Sequence, residues 1–178
     1  MPPCLIPPFW SWTSDACSGN SFLMTKQAKP IPDGYEGATP YLCCKDAAHA
    51  IEFYKKAFGA TELMRMAAPD GRIGHAEIKI NLAIIMLADE FPDMGAISPQ
   101  SLGGTPVSLM VYVEDVDALF GRAVSAGAKV LEPLADKFYG DRNCKLSDPA
   151  GHVWMFGTHK EDVPPQEIAK RAAAVFGS

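Results

Sequence analysis

Residues 40–63, PYLCCKDAAHAIEFYKKAFGATEL, and residues 108–131, SLMVYVEDVDALFGRAVSAGAKVL, follow one plan: a short apolar run, an aspartate, a helical pattern and a Gly-Ala pair. A chain that writes the same unit twice folds as paired modules, so this repeat constrains the architecture more than any single motif. After Asp46 the residues Ala47, Ile51, Tyr54 and Phe58 recur at helical spacing, and Gly59 supplies a left-handed stop. Glu52 stands three and four residues ahead of Lys55 and Lys56 on the solvated face. In the second copy Asp115 opens the helix, Val116, Leu119, Phe120 and Ala123 form the stripe, and Gly127 closes it.

Strand-like segments follow each helix. TELMRMAAP, RIGHAEIKI and LAIIMLADE come after the first, divided by Pro69-Asp70-Gly71 and by Asn81. AKVLEPLA, RNCKLSD and HVWMFGTH come after the second, with the turn DPAG at 148–151. Each half therefore reads β-α-β-β-β, and the fold class is α+β. One half alone buries too little apolar area to stand independently, so two copies sharing a sheet are expected. Alternation in RIGHAEIKI puts Ala76, Ile78 and Ile80 against the helix and turns His75, Glu77 and Lys79 the other way. In YLCC and SLMVYV both parities are apolar, the pattern of strands buried on both faces.

Composition narrows the partners. A net charge of −5 over 178 residues, with no cluster of Lys and Arg, excludes a nucleic-acid backbone. No apolar run approaches the roughly 20 residues that span a bilayer. Five cysteines without a CxxC pair, two of them adjacent at Cys43 and Cys44 on opposite strand faces, imply free thiols in a reducing, cytoplasmic setting. Residues 1–35 are rich in Pro, Ser and Gly and lack a period. Their opening is no signal peptide, since Pro7 and Pro8 interrupt it, and residues 1–23 are expected to be a poorly packing extension ahead of Met24. Residues 161–178 hold a C-terminal helix from about Pro165, with Ile168, Ala172, Val175 and Phe176 as its apolar stripe.

Tandem β-α-β-β-β modules carrying KDAAHAIEFYKKAFGA, HAEIKI with IIMLAD, YVEDVDALFGRAVSAGAKV, FYGDR and DPAGHVW in that order resemble the vicinal oxygen chelate superfamily, closest to the PhnB-like branch of its glyoxalase and bleomycin-resistance members. The resemblance covers residues 36–160, with module 1 at about 36–90 and module 2 at about 105–160. It implies paired βαβββ modules around a U-shaped cleft, commonly in a homodimer. Members bind a divalent metal for isomerase, lyase or dioxygenase chemistry, or use the cleft to sequester an antibiotic.

In metal-using members the ligands, usually His and Glu, sit early on the first strand and midway along the last strand of each module. Registered on Asp46 and Asp115, those positions fall on Thr39, Ser108, Met86 and Met155. Tyr41 and Met110, two residues further along the same face, supply no strong ligand either, and Met110 departs from the His that some PhnB-like relatives carry. Thioether and hydroxyl groups suit the implied ions poorly, so no cofactor is expected and a divalent metal is disfavoured.

Other polar residues offer chemistry. His75 and Glu77, two apart on one strand face, form the candidate catalytic pair or hydrogen-bonding handle; the alternative is a solvated, ion-paired face. Tyr139, beside Phe138 and ahead of Gly140, Asp141 and Arg142, offers an aromatic wall with a polar grip, unless Asp141 and Arg142 merely pair across the sheet. Met86, Met110 and Met155 give an adaptable apolar lining suited to a flat organic ligand, or simply fill a core. His49 and His159 read as solvated and His152 as a turn residue. The expected binding set is Tyr41, Cys43, Met86, Ser108, Met110, Tyr139, Arg142 and Met155. Two functions stay open: a metal-independent module that binds a small aromatic or antibiotic-like molecule, catalytic or not, and a metal-dependent glyoxalase-like lyase, isomerase or dioxygenase.

Overall fold

The computed structural model describes residues 28–177, so the extension expected over residues 1–23 lies outside the described residues. The first module runs β1 (Tyr41–Cys44), α1 (Ala47–Phe58), β2 (Thr61–Ala67), β3 (Ile73–Ile80) and β4 (Ala83–Asp89). A 3-10 turn (Pro92–Met94) and the short α2 (Pro99–Leu102) lead into the second: β5 (Ser108–Tyr112), α3 (Val116–Ala126), β6 (Lys129–Asp136), β7 (Asp141–Ser147) and β8 (Val153–His159). A last helix, α4, spans Pro165–Phe176. Among the described residues no helix is long and apolar enough to cross a membrane.

Each module forms its own four-stranded sheet, ordered β1-β4-β3-β2 and β5-β8-β7-β6. The first strand pairs with the last in parallel, and the other pairings are antiparallel. The halves thus do not share a sheet, as the repeat alone suggested; they share a core. Tyr54 and Phe58 of α1 reach into the second module, with ring centroids 5.3 Å from Trp154 and 4.6 Å from Phe156 respectively. Both side chains of β8 are completely buried, and the helix-facing residues of both sheets merge into one apolar cluster with α1 and α3. Area removed from both modules at once explains why neither half would be stable alone.

The seam also carries a buried carboxylate. Asp148, 5% exposed, accepts from the Tyr54 hydroxyl at 2.7 Å, the Trp154 indole N–H at 2.8 Å and the His152 backbone N–H at 2.9 Å. Three donors offset the cost of burying the charge, and one of them comes from the other module.

The repeat persists in atomic detail. Asp46 and Asp115 accept from the backbone N–H groups of His49 and Ala118, capping α1 and α3, and Gly59 and Gly127 end them at φ 71° and 108°. The last strand of each module then reaches back to the same helix start. Asp89 Oδ1 accepts from Ala47 N–H at 2.7 Å, and Thr158 Oγ1 accepts from Val116 N–H at 3.0 Å. Asp89 does more, because its Oδ2 also accepts from Ile73 N–H at 2.6 Å.

One expectation about the sheets fails. β1 and β5 are not buried on both faces: Tyr41 is 52% exposed, Met110 39% and Tyr112 51%, whereas Leu42, Cys44 and Val111 point into the core. Tyrosine and methionine tolerate such half-wet faces because each combines apolar area with a polar or polarisable atom.

Candidate functional site

The strand parity that buries Ala76, Ile78 and Ile80 against α1 sends His75 and Glu77 to the helix-free face of the first sheet. There they meet two tyrosines. Glu77 Oε1 accepts from His75 Nε2 at 3.2 Å, and Glu77 Oε2 accepts from the Tyr35 hydroxyl at 2.5 Å. The Tyr41 hydroxyl lies 2.9 Å from His75 Nδ1. Because a carboxylate only accepts, Nε2 carries the proton in the neutral ring, and the Tyr41 O–H donates to Nδ1. The result is a directed relay, Tyr41 to His75 to Glu77, closed from the far side by Tyr35.

Ladder register brings Met86 beside this relay, opposite Tyr41 on β1 and opposite Glu77 on β3. Cys43 follows on the same face of β1, opposite Ala88. Burial, aided by the nearby Glu90 charge, raises the pKa of its thiol, which disfavours a reactive thiolate. Burial likewise raises the Tyr41 phenol, with Cys43 and Glu77 adding to the effect, while Tyr35 is raised chiefly by its bond to Glu77. Both phenols therefore stay protonated near neutrality and act as donors.

The equivalent face of the second sheet is built differently. Met155 lies opposite Met110 and Lys145, as Met86 lies opposite Tyr41 and Glu77. Thus a thioether replaces the phenol and an ammonium replaces the carboxylate. Ser108 Oγ stands 3.8 Å from Met155 Sδ. Gly157 makes room for Met110, since a Cβ there would lie 2.8 Å from the Met110 methyl. Further along, Tyr112 donates to Asp141 at 2.6 Å, and His159 bridges Asp141 at 2.8 Å and Asp162 at 3.0 Å.

Of the expected binding set, Arg142 sits apart from these faces, whereas Tyr139 borders the second one through Asn143. Tyr139 accepts from the Asn143 side-chain amide at 2.6 Å, in a turn fixed by Gly140, where φ is 102° and an added Cβ would meet the Glu161 carbonyl. Arg142 shares its strand parity with the buried Cys144 and Leu146 and forks onto Asp117 of α3 at 2.8 Å through two nitrogens, with Asp136 at 3.1 Å. It ties helix to sheet, and its partner is not the adjacent Asp141. His152 is no mere turn residue either: it is 8% exposed and its Nε2 donates to the Cys43 carbonyl at 3.0 Å across the seam. His49 is exposed, as its place off the helix stripe requires.

Sequence reasoning missed Tyr35, because it stands in a stretch without a period. The aromatic ring just ahead of the first strand was the only signal.

The four positions that the resemblance implies for metal ligands are Thr39, Met86, Ser108 and Met155, none of which is an imidazole or a carboxylate. The donor chemistry does not fit a hard divalent ion. Among the described residues no three His, Cys, Asp or Glu side chains cluster so as to hold a metal.

Comparison with known proteins agrees with this architecture. The family model described as Glyoxalase/Bleomycin resistance protein/Dioxygenase superfamily matches residues 38–156. The uncharacterized protein Mb0911c of Mycobacterium bovis is 47% identical over 133 residues, which are 73% of this chain and 88% of that one. The uncharacterized protein Rv0887c of Mycobacterium tuberculosis is also 47% identical over 133 residues, covering 73% and 78%. Among solved structures, TioX from Micromonospora sp. ML1 shares 31% identity at a TM-score of 0.56, across 69% of this chain and 99% of that chain.

Proposed function

Because the chain belongs to the glyoxalase/bleomycin resistance protein/dioxygenase superfamily, we propose that it binds a small aromatic or antibiotic-like molecule on the helix-free face of its first module, without the divalent metal common in that superfamily. The Tyr41–His75–Glu77–Tyr35 relay carries this reading. It offers one oriented phenol beside the soft surface of Met86, the combination of an apolar wall and a few aimed polar groups that small-molecule sites use.

Binding is favoured over catalysis by the proton inventory. Both nitrogens of His75 are already engaged, so a substrate proton reaches the imidazole only by way of the Tyr41 hydroxyl. A phenol whose pKa is raised is a poor general base at neutral pH. With its proton committed to His75, its oxygen is left to accept from a ligand hydroxyl or N–H.

Within the superfamily we place the chain in the PhnB-like branch, on the HAEIKI and DPAGHVW segments. We take the working unit to be a homodimer. Support comes from the half-exposed Tyr41, Met110 and Tyr112, large side chains on faces that a second copy would cover. Among the described residues the cysteines, Cys43, Cys44 and Cys144, are free thiols, in keeping with a cytoplasmic protein.

The metal-dependent alternative, a glyoxalase-like lyase, isomerase or dioxygenase, draws on one observation: His75 and Glu77 are an imidazole and a carboxylate on one face. Two protein donors fall short of the three or four that hold such an ion. Titration calorimetry with catechols, aromatic antibiotics and methylglyoxal adducts tests the proposal. Saturable binding by at least one aromatic compound, weakened about tenfold in Tyr41→Phe, is the expected result, a loss matching one hydrogen bond. Binding that Tyr41→Phe and His75→Gln leave intact would overturn it.

A further inference from the structure

A cavity lies under the segment that links the modules and meets the relay only at Tyr41. Its volume is about 290 Å³, and its walls include Leu42, Leu102, Pro106, Leu109 and Val153, with His152 among them. Most of that lining is apolar, with Tyr41, Cys43 and Thr105 adding polar atoms beside His152, which is more than nine-tenths buried.

The protonation of that ring follows from its neighbours. Nε2 faces the Cys43 carbonyl at 3.0 Å, and a carbonyl can only accept. Nε2 therefore carries the proton, and in the neutral ring Nδ1 holds a lone pair. Among the described residues no hydrogen bond is made by Nδ1, and no fully enclosed side-chain nitrogen or oxygen lacks a partner. Nδ1 is thus an acceptor with access to open space on a side chain that lines the cavity. A donor delivered into the cavity would pair with that acceptor in place of water.

We propose that this cavity is a binding site for a compact, neutral, mainly apolar molecule bearing one hydrogen-bond donor, a phenol being the simplest member of the class, with the donor on His152 Nδ1. Charged ligands are excluded by the apolar walls, which offer no counter-charge. The volume admits one aromatic ring with small substituents and falls below the usual range for larger organic ligands, about 300–1,000 Å³. Tyr41 and Cys43 also border the cavity, so an occupant abuts the strand that carries the relay phenol. The site does not depend on the relay as a ligand site.

The test uses phenol as the probe and toluene as its donor-free isostere, titrated into the full chain labelled with ¹⁵N. The expected result is saturable movement of the His152 Nδ1 resonance and of the amides of residues 97–109, with phenol binding about tenfold more tightly than toluene. Val107→Trp, at an exposed residue on the cavity wall, should fill the space and abolish both effects while the chain stays folded. His152→Gln should erase the preference for phenol; if that variant fails to fold, Val107→Trp decides alone. Equal binding of phenol and toluene, movement confined to His75 and Tyr41, or binding that survives Val107→Trp overturns the proposal.

Discussion

The two modules share a plan and differ in charge, and the difference separates what the repeat does for folding from what it does for function. At the helix starts, Asp89 in the first module does the work that Thr158 does in the second, but with a carboxylate and two backbone partners against a hydroxyl and one. On the helix-free faces, Tyr41, His75 and Glu77 in the first module stand where Met110, Asn143 and Lys145 stand in the second. Duplicated scaffolding has kept its geometry while the two faces carry different networks, Tyr41–His75–Glu77–Tyr35 on the first and Tyr112–Asp141–His159–Asp162 on the second. The proposed binding site rests on the first of these networks, the one beside Met86.

The sharpest way to break that comparison is at the helix starts. Asp89→Ala strands the buried N–H groups of Ala47 and Ile73 and should cost about 3 kcal/mol, each charge-assisted bond being worth roughly 1.5–3. Thr158→Ala removes one neutral bond to Val116 and should cost about 1 kcal/mol. Urea denaturation of the two variants measures both. Equal losses would mean that the modules carry stability alike, against the asymmetry drawn here.

Next in size is the contrast between faces. Glu77→Gln leaves Tyr35 and His75 without their shared carboxylate and should weaken ligand binding about tenfold, whereas Lys145→Gln, whose amine already reaches Glu132 at 3.5 Å, should change it less than twofold. A reversed order would move the site to the second module.

Much of this was legible from residues alone. Apolar periodicity and the Asp and Gly signals gave both helices, and the constant spacing of the repeat set Met86 and Met155 in matching registers because strand pairing follows from the pleat. Alternation in β3 turned His75 and Glu77 to the correct side. What escaped depended on contacts distant in sequence. Tyr35 sits 42 residues from Glu77, and His152 sits 109 from Cys43, so no local pattern announces either bond. Arg142 was a different case, since its parity with Cys144 and Leu146 already pointed toward α3, and a charged residue at a core-facing position is legible only once Asp117 is known to wait there.

A smaller effect depends on pH. Bonds to Asp141 and Asp162 raise the folded-state pKa of His159 above the ordinary 6.5. A raised pKa means the protonated ring is favoured by folding, so its contribution is fully present below about pH 6.5 and fades as pH climbs through the higher folded value. The stability gap between wild type and His159→Gln should accordingly narrow from pH 6 to pH 9 in thermal melts. A gap that widened over that range would contradict the bridge. The smallest change expected is Gly157→Ala, which pushes the partly exposed Met110 methyl aside and should cost below about 1 kcal/mol by urea denaturation.

The central claim is that an organic ligand is held by the chain's own phenol, imidazole and carboxylate, with no ion between them. Elemental analysis of the purified protein, paired with calorimetry on one bound aromatic compound before and after chelation, tests it most directly. The account predicts far less than one transition-metal ion per chain and an affinity that chelation leaves unchanged. One tightly held ion per chain, with binding lost on its removal and restored on its return, would contradict it.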